Sequence, residues 1–282
     1  MKFETIGIVG AGQMGAGIAQ VCATAGLSVV LNDVETRALE RGMEKLSAGL
    51  DRLVAKTSLT AEQAAQAMTR IKAAAEPSRL AGCDIVIEAA TENVRIKQRI
   101  LRELDAIVRP DAIVATNTSS VSITQLAATL ADPSRFVGMH FFNPVPAMAL
   151  VEVIRGMQTS DAAYDATVAL AERLGKSAIQ VKNAPGFVVN RILVPMINEA
   201  VFVLQEGLAS AEAIDAGMRL GANHPMGPLA LADLIGLDTV LSIMEVFHQA
   251  FGDDKYRPAP MLRELVDAGS LGRKAKRGFY SY

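Results

Sequence analysis

The glycines at positions 10, 12 and 15 constrain this chain more than any other feature. They follow the apolar run Thr5 to Val9 and open a stretch of small and apolar residues, Gln13 to Ala25. In a GxGxxG set between a strand and a helix, each glycine has its own task. The first makes the tight turn, the second lets the backbone approach a pyrophosphate, and the third allows the helix to pack close to the strand. The pyrophosphate then faces the free N–H groups at the positive end of the helix. A second apolar run, Leu27 to Leu31, is followed by Asp33. A carboxylate there accepts hydrogen bonds from both hydroxyls of an adenosine ribose and repels the extra phosphate of NADP, so the segment reads as an NAD site. The plain alternative is a glycine-rich turn with a surface aspartate, and the glycines alone leave flavin dinucleotide open.

The rest of the first half repeats the same alternation. Apolar, β-branched runs at Asp84 to Ile87, Ala112 to Ala115, Phe136 to His140, Ala149 to Ile154 and Ser177 to Val181 read as strands. Between them lie helical patterns: a long region from Glu35 to Ala75, read as two helices broken near Lys56 to Thr60, then Ile96 to Ile107, Ser122 to Leu130 and Asp161 to Leu174. Thr60 with Gln63 forms a capping-box pattern. Strands alternating with helices imply an α/β fold of the Rossmann type, a doubly wound and mostly parallel sheet covered on both faces. Near-continuous apolar runs such as IGIVG and DIVIE suit strands buried on both sides. After Asn183 helical patterns take over, so the expectation is a dinucleotide-binding domain over 1–184 and an all-α domain over 185–282.

The length, 282 residues with 50% hydrophobic and 21% charged, suits two packed domains. A net charge of -2 gives no general basic field to attract nucleic acid or an acidic membrane. The two cysteines, Cys22 and Cys83, form neither a disulfide framework nor a metal-ligand spacing, and their apolar surroundings point to buried, inert thiols. The start, MKFETIGIVGAG, enters a strand pattern without the features of a secretory leader. The apolar stretch from Gly186 to Gly207 holds Asn190, Arg191, Asn198, Glu199 and Gln205, too many polar groups for a spanning helix. The expectation is a cytoplasmic protein without a membrane segment.

Of the three histidines, His140 stands out. It ends an apolar strand pattern, where ligands of parallel sheets gather. A turn with Asn143, Pro144 and Pro146 follows, and then Glu152 lies between Val151 and Val153. A carboxylate in a valine run is costly to bury unpaired, and an imidazole is a natural partner. Such a pair suits carbonyl reduction with NADH: the histidine moves the hydroxyl proton and the carboxylate orients the ring. A satisfied structural histidine is the plain alternative, and it is the reading kept for His224 and His248.

The stretches GIVGAGQMGAGIAQ, DIVIEAATEN, TNTSS, GMHFFNPVPAMALVEVI, LGK, NAPGFVVNRIL, NHPMGPLALADLIGLDT and the GRK at Gly272 to Lys274 occur in order along nearly the whole chain. In these the sequence resembles the short-chain L-3-hydroxyacyl-CoA dehydrogenases, and especially the bacterial 3-hydroxybutyryl-CoA dehydrogenases. The resemblance implies reversible NAD-dependent oxidation of an (S)-3-hydroxyacyl-CoA, with His140 as acid/base and Glu152 as its orienting partner. It implies that Ser119 and Asn190 hold the substrate's 3-oxygen, with Ser119 near the nicotinamide, which Asn143 helps to place. Asp33 would hold the adenine ribose, and Glu92 and Lys97 would line the cofactor site. Arg52 and Lys56, at i and i+4 on one helix face, are candidates for the phosphates of the acyl-CoA.

Plainer readings stand beside these. Ser119 would cap the helix near Ser122, Asn190 would start a helix, Glu92 would be a solvated loop acid, and Arg52 with Lys56 a solvated charged face. Many relatives carry a threonine and a glycine after the GRK stretch, where this chain has Ala275 and Lys276. Rival functions are a dehydrogenase of a free hydroxy acid or sugar acid, a lysine-dependent β-hydroxyacid dehydrogenase with Lys182 as base, and a non-catalytic NAD-binding protein. The helix pattern from Arg191 to Glu206 is apolar on most faces and needs cover nearly all round, which points to a homodimer through the C-terminal domain.

Overall fold

The structure is a computed structural model that describes residues 3–282. The chain divides between Ala184 and Pro185 into two compact units.

The first unit is built on an eight-stranded sheet of order β3-β2-β1-β4-β5-β6-β7-β8. Its strands are β1 (Thr5–Val9), β2 (Ser28–Asn32), β3 (Ile71–Ala74), β4 (Ile85–Glu88), β5 (Ile113–Thr116), β6 (Phe136–Phe141), β7 (Leu150–Arg155) and β8 (Ser177–Lys182). The helices are α1 (Gln13–Thr24), α2 (Thr36–Ala55), α3 (Ala61–Thr69), α4 (Val94–Ile107), α5 (Ile123–Ala127) and α6 (Asp161–Arg173). Neighbouring strands run parallel except for β6 and β7, which pair antiparallel. The loop after Phe141 reverses the chain without a crossover helix, so β7 enters the sheet from its carboxyl edge. The central strands β4, β5 and β6 are buried along their whole length. Cys22 and Cys83 are fully buried, and desolvation pushes both thiols up to about 12.

The region from Glu35 to Ala75 differs from the two-helix expectation. Helices α2 and α3 are present, and Thr60 with Gln63 forms the capping box before α3. The last residues, however, form the edge strand β3. Its sequence, IKAA, has one β-branched residue and two alanines that extend the helical pattern before it. Small residues bring the helices close to the nucleotide turn. A Cβ on Gly42 of α2 would lie 2.8 Å from the Ala11 carbonyl oxygen, and one on Gly49 would lie 2.2 Å from the Gln20 side chain.

The second unit is all helical: α7 (Val189–Gln205), α8 (Ala211–Gly221), α9 (Pro228–Ile235), α10 (Leu237–Phe251) and α11 (Pro260–Asp267). Ile197 and Val201 of α7 pack in one core with Leu229, Val240, Met244, Phe247 and Leu262. Two buried carboxylates fix its end. Asp215 accepts from the Leu229 and Ala230 N–H groups at the start of α9 and from the Tyr280 hydroxyl. Asp233 accepts from the N–H groups of Phe279 and Tyr280. Lys276 has φ 57°, a left-handed conformation that glycine adopts without cost. Lys276 therefore stands at a turn position that strains a residue with a side chain. Among the described residues, no helix is long and apolar enough to cross a membrane.

Candidate active site

The carboxyl edge of the parallel strands gathers the chemistry-bearing residues of the first unit. Gly10 follows β1 with φ 102°, and its N–H donates to the Asn32 carbonyl at 2.8 Å. A Cβ on Gly15 would sit 1.8 Å from the Gly10 carbonyl oxygen, so only glycine lets α1 approach the turn this closely. A Cβ on Gly12 would meet nothing within 4 Å. The turn thus presents open backbone at the amino end of α1, as a pyrophosphate requires. Asp33 follows directly on β2 with its carboxylate aimed at this turn: Oδ2 accepts from the Ala11 N–H at 2.9 Å and Oδ1 from the Glu35 N–H at 3.0 Å. A carboxylate has lone pairs beyond these two, enough for ribose hydroxyls. A cleft of about 430 Å³ lies here, lined by Gly10, Gly12, Asp33, Val34, Ile96 and Arg99 among others. The turn, the acid and the apolar walls fit an adenosine diphosphate moiety.

His140 and Glu152 are register partners across β6 and β7. Residues directly opposite in an antiparallel ladder place their side chains side by side on one face. Here His140 Nδ1 lies 2.7 Å from Glu152 Oε2. Glu152 is 0% exposed and His140 6%, so the carboxylate meets its cation or donor in a setting where an unpaired charge would be prohibitive. The Phe142 ring packs against the imidazole with centroids 4.5 Å apart.

Beside this pair, β4, β5 and α4 build a second polar group. Glu92, in the loop after β4, receives three hydrogen bonds. Oε2 accepts from the Thr118 hydroxyl at 2.8 Å, and Oε1 accepts from the Ser119 N–H at 2.6 Å and its hydroxyl at 2.9 Å. Glu92 is therefore an engaged acid and not simply a solvated one. Ser119 does not cap the following helix; Ser122 does, accepting from the Gln125 N–H. Lys97 is 1% exposed, held below the surface. Its Nζ lies 2.6 Å from Glu88 Oε2 and 3.5 Å from Glu92 Oε2. Glu88 also accepts from the Thr116 hydroxyl at 2.7 Å and the Ala90 N–H at 2.9 Å.

Asn143 follows β6, and its Oδ1 accepts from Gln13 Nε2 at 2.8 Å. Both line a cavity of about 670 Å³ that also holds Lys45, Arg52 and Lys56 of the α2 region. The far wall is the loop Pro144 to Ala147. Lys176 secures that loop from beneath, donating to the carbonyls of Val145 and Met148 at 2.7 Å each. Burial holds the Lys176 ammonium below the usual lysine range. Asn190 belongs to the second unit, in the first turn of α7. His248, on α10, has its Nε2 3.5 Å from Asp254 Oδ1.

Sequence reading passed over Gln13, Lys45, Glu88, Thr116 and Lys176. Glu88 carried a signal of the same kind as Glu152, a carboxylate closing the apolar run DIVIE. Lys45 shares a helix face with Arg52 and Lys56, at spacings of seven and eleven. Gln13 and Lys176 gave none, because their partners are distant backbone or side-chain atoms.

The chain matches the family model for the NAD-binding domain of 3-hydroxyacyl-CoA dehydrogenase over residues 5–184 and that for the 3-hydroxyacyl-CoA dehydrogenase C-terminal domain over residues 186–282. It is 54% identical to a 3-hydroxybutyryl-CoA dehydrogenase of Bradyrhizobium diazoefficiens, over 99% of this chain and 95% of that one. It is 46% identical to the 3-hydroxybutyryl-CoA dehydrogenase of Clostridioides difficile, over 98% and 99%. Among solved structures, the (S)-3-hydroxybutyryl-CoA dehydrogenase of Ralstonia eutropha superposes with a TM-score of 0.97 at 58% identity, covering 100% of this chain and 99% of that one.

Proposed function

Because the chain belongs to the 3-hydroxyacyl-CoA dehydrogenase family, with NAD as cofactor, we propose that it interconverts (S)-3-hydroxybutyryl-CoA and acetoacetyl-CoA, with His140 as acid/base. The observation that carries this reading is the 2.7 Å contact between His140 Nδ1 and the buried Glu152 carboxylate. Glu152 accepts from Nδ1–H and so leaves Nε2 as the basic nitrogen of the ring. In the oxidative direction Nε2 takes the proton of the 3-hydroxyl, and Glu152 stabilises the imidazolium that forms. Bound NAD supplies the acceptor for the hydride that leaves C3. The products are the 3-oxo thioester, NADH and a proton, and reduction retraces the path with the imidazolium as acid.

Ser119 turns its hydroxyl from Glu92 to the substrate's 3-oxygen. Its N–H stays on the same carboxylate, so the residue keeps its place while the hydroxyl rotates. The resemblance adds Asn190 as a second donor to that oxygen. Gly10, Gly12 and Gly15 cradle the pyrophosphate and Asp33 takes the adenine ribose. Glu92, backed by Lys97, and Asn143 serve the nicotinamide end. Arg52 and Lys56, joined by Lys45, offer cations to the phosphates of the CoA. The four-carbon acyl chain rests on the names of the relatives in Bradyrhizobium and Clostridioides. A homodimer through the second unit belongs to the same reading, supported by exposed apolar side chains there, Ile192, Leu208 and Leu220.

The test is the loss of NADH absorbance with acetoacetyl-CoA, run beside free acetoacetate and with NADPH as the second cofactor. Fast oxidation of NADH with the thioester alone is the expected result. Turnover of free acetoacetate at the same rate would move the assignment to a hydroxy-acid dehydrogenase, and a light-scattering mass of one chain at micromolar concentration would remove the dimer.

A further inference from the structure

We propose that Glu88, through its buried pair with Lys97, is a positioning residue for the dehydrogenase reaction, holding Glu92 and thereby Ser119 in place. The inference rests on the reading of Ser119 given above.

Glu88 closes β4 and is 0% exposed. Both its oxygens are engaged: Oε2 by the Lys97 ammonium at 2.6 Å and the Thr116 hydroxyl at 2.7 Å, Oε1 by the Ala90 N–H at 2.9 Å. Lys97 in turn donates to Thr116 Oγ1 at 3.3 Å. Burying such a pair brings little stability by itself, since desolvation opposes the attraction and an apolar pair of similar volume often serves as well. What the pair does here is divide one ammonium between two carboxylates. Glu88 takes Lys97 at 2.6 Å, whereas Glu92 stays 3.5 Å away. Glu92 feels the positive charge but keeps its oxygens for the Thr118 hydroxyl and for the N–H and hydroxyl of Ser119. Without the Glu88 charge, the ammonium has one carboxylate left, Glu92. A close Lys97–Glu92 pair would compete for the oxygens that grip Ser119 and draw the loop after β5 off its position.

The experiment compares Glu88→Gln, the double variant Glu88→Gln/Lys97→Met, and Ser119→Ala, with kcat expressed per ADP-ribose-binding site so that unfolded protein is not counted. In Glu88→Gln, kcat for acetoacetyl-CoA reduction is expected to fall about ten- to a hundredfold, as a displacement near 1 Å does, with the KM for the thioester and the Kd for ADP-ribose within about twofold of the parent. The double variant removes the competing ammonium as well, so Glu92 keeps its oxygens for Ser119, and most of the lost kcat should return together with thermal stability. A double variant as slow as Glu88→Gln would mean that Lys97 does not act through Glu92 and would overturn the proposal, as would an unchanged kcat in Glu88→Gln. Should neither variant fold, Thr116→Val carries the test: it removes one hydrogen bond from Glu88, and a lowered kcat at unchanged KM supports the proposal whereas an unchanged kcat overturns it. If Ser119→Ala keeps parental kcat, the reading of the site has failed; if Ser119→Ala is slow and Glu88→Gln is not, this inference alone has failed.

Discussion

His140 and Glu152 face one another across the β6–β7 ladder, with Nδ1 2.7 Å from Oε2. Their meeting depends on a reversal of chain direction between two strands that otherwise extend a parallel sheet. It also depends on register. A slip of one residue in β7 would turn Glu152 to the opposite face and set Val151 or Val153 against the imidazole. The flanking valines, fully buried, make that slip costly, because it would turn them off the face where they pack. The same side chains that bury the strand therefore fix the geometry of the acid/base pair.

Replacing His140 by Gln tests the role directly. The amide keeps a hydrogen-bonding group near Glu152 but cannot exchange the proton. Turnover is expected to fall about a hundred- to ten-thousand-fold, while NADH affinity, read by fluorescence titration, stays near the parent value. Loss of NADH binding would mean that His140 serves the cofactor or the fold. Glu152→Gln is expected to lower kcat as well, with the ring less firmly held in the tautomer that leaves Nε2 basic.

Asp33→Ala addresses the cofactor choice. The carboxylate accepts from the Ala11 N–H and stands in the cleft beside Gly12. Its removal is expected to raise the KM for NADH and to lower the ratio of kcat/KM for NADH over that for NADPH, since a negative charge no longer opposes the ribose phosphate. Steady-state kinetics with both cofactors give the answer, and an unchanged ratio would place the discrimination elsewhere.

The parts of the fold legible in the sequence are those whose residues report their own surroundings. Buried strands such as IGIVG and DIVIE are apolar throughout, and the glycine turn needs its residue types at fixed spacing. Strand β3 was hidden because an edge strand of four residues buries little, and its alanines continue the helical composition before them. The His140–Glu152 pair was legible because a carboxylate among valines demands a partner and a histidine closes the preceding strand. The Glu88–Lys97 pair obeys the same rule but passed unseen, since Lys97 is on α4 and its charge looks like part of a solvated helix face. Lys176 holds the loop by backbone carbonyls alone, and carbonyl partners leave no trace in residue type.

The cavity between α2 and the loop after β6 yields the last prediction. Arg52 and Lys56 line it together with Lys45, and both are exposed. If these cations hold the CoA phosphates, Arg52→Ala/Lys56→Ala should raise the KM for acetoacetyl-CoA about three- to tenfold with little change in kcat, a modest effect because exposed charges are screened. The same variant should handle acetoacetyl-pantetheine, which lacks the phosphates, as the parent does. The parent's KM for the CoA thioester should rise with added salt, and that dependence should be weaker in the variant. An equal loss with the pantetheine thioester would make the effect structural, and an unchanged KM with both would put the phosphates on other residues.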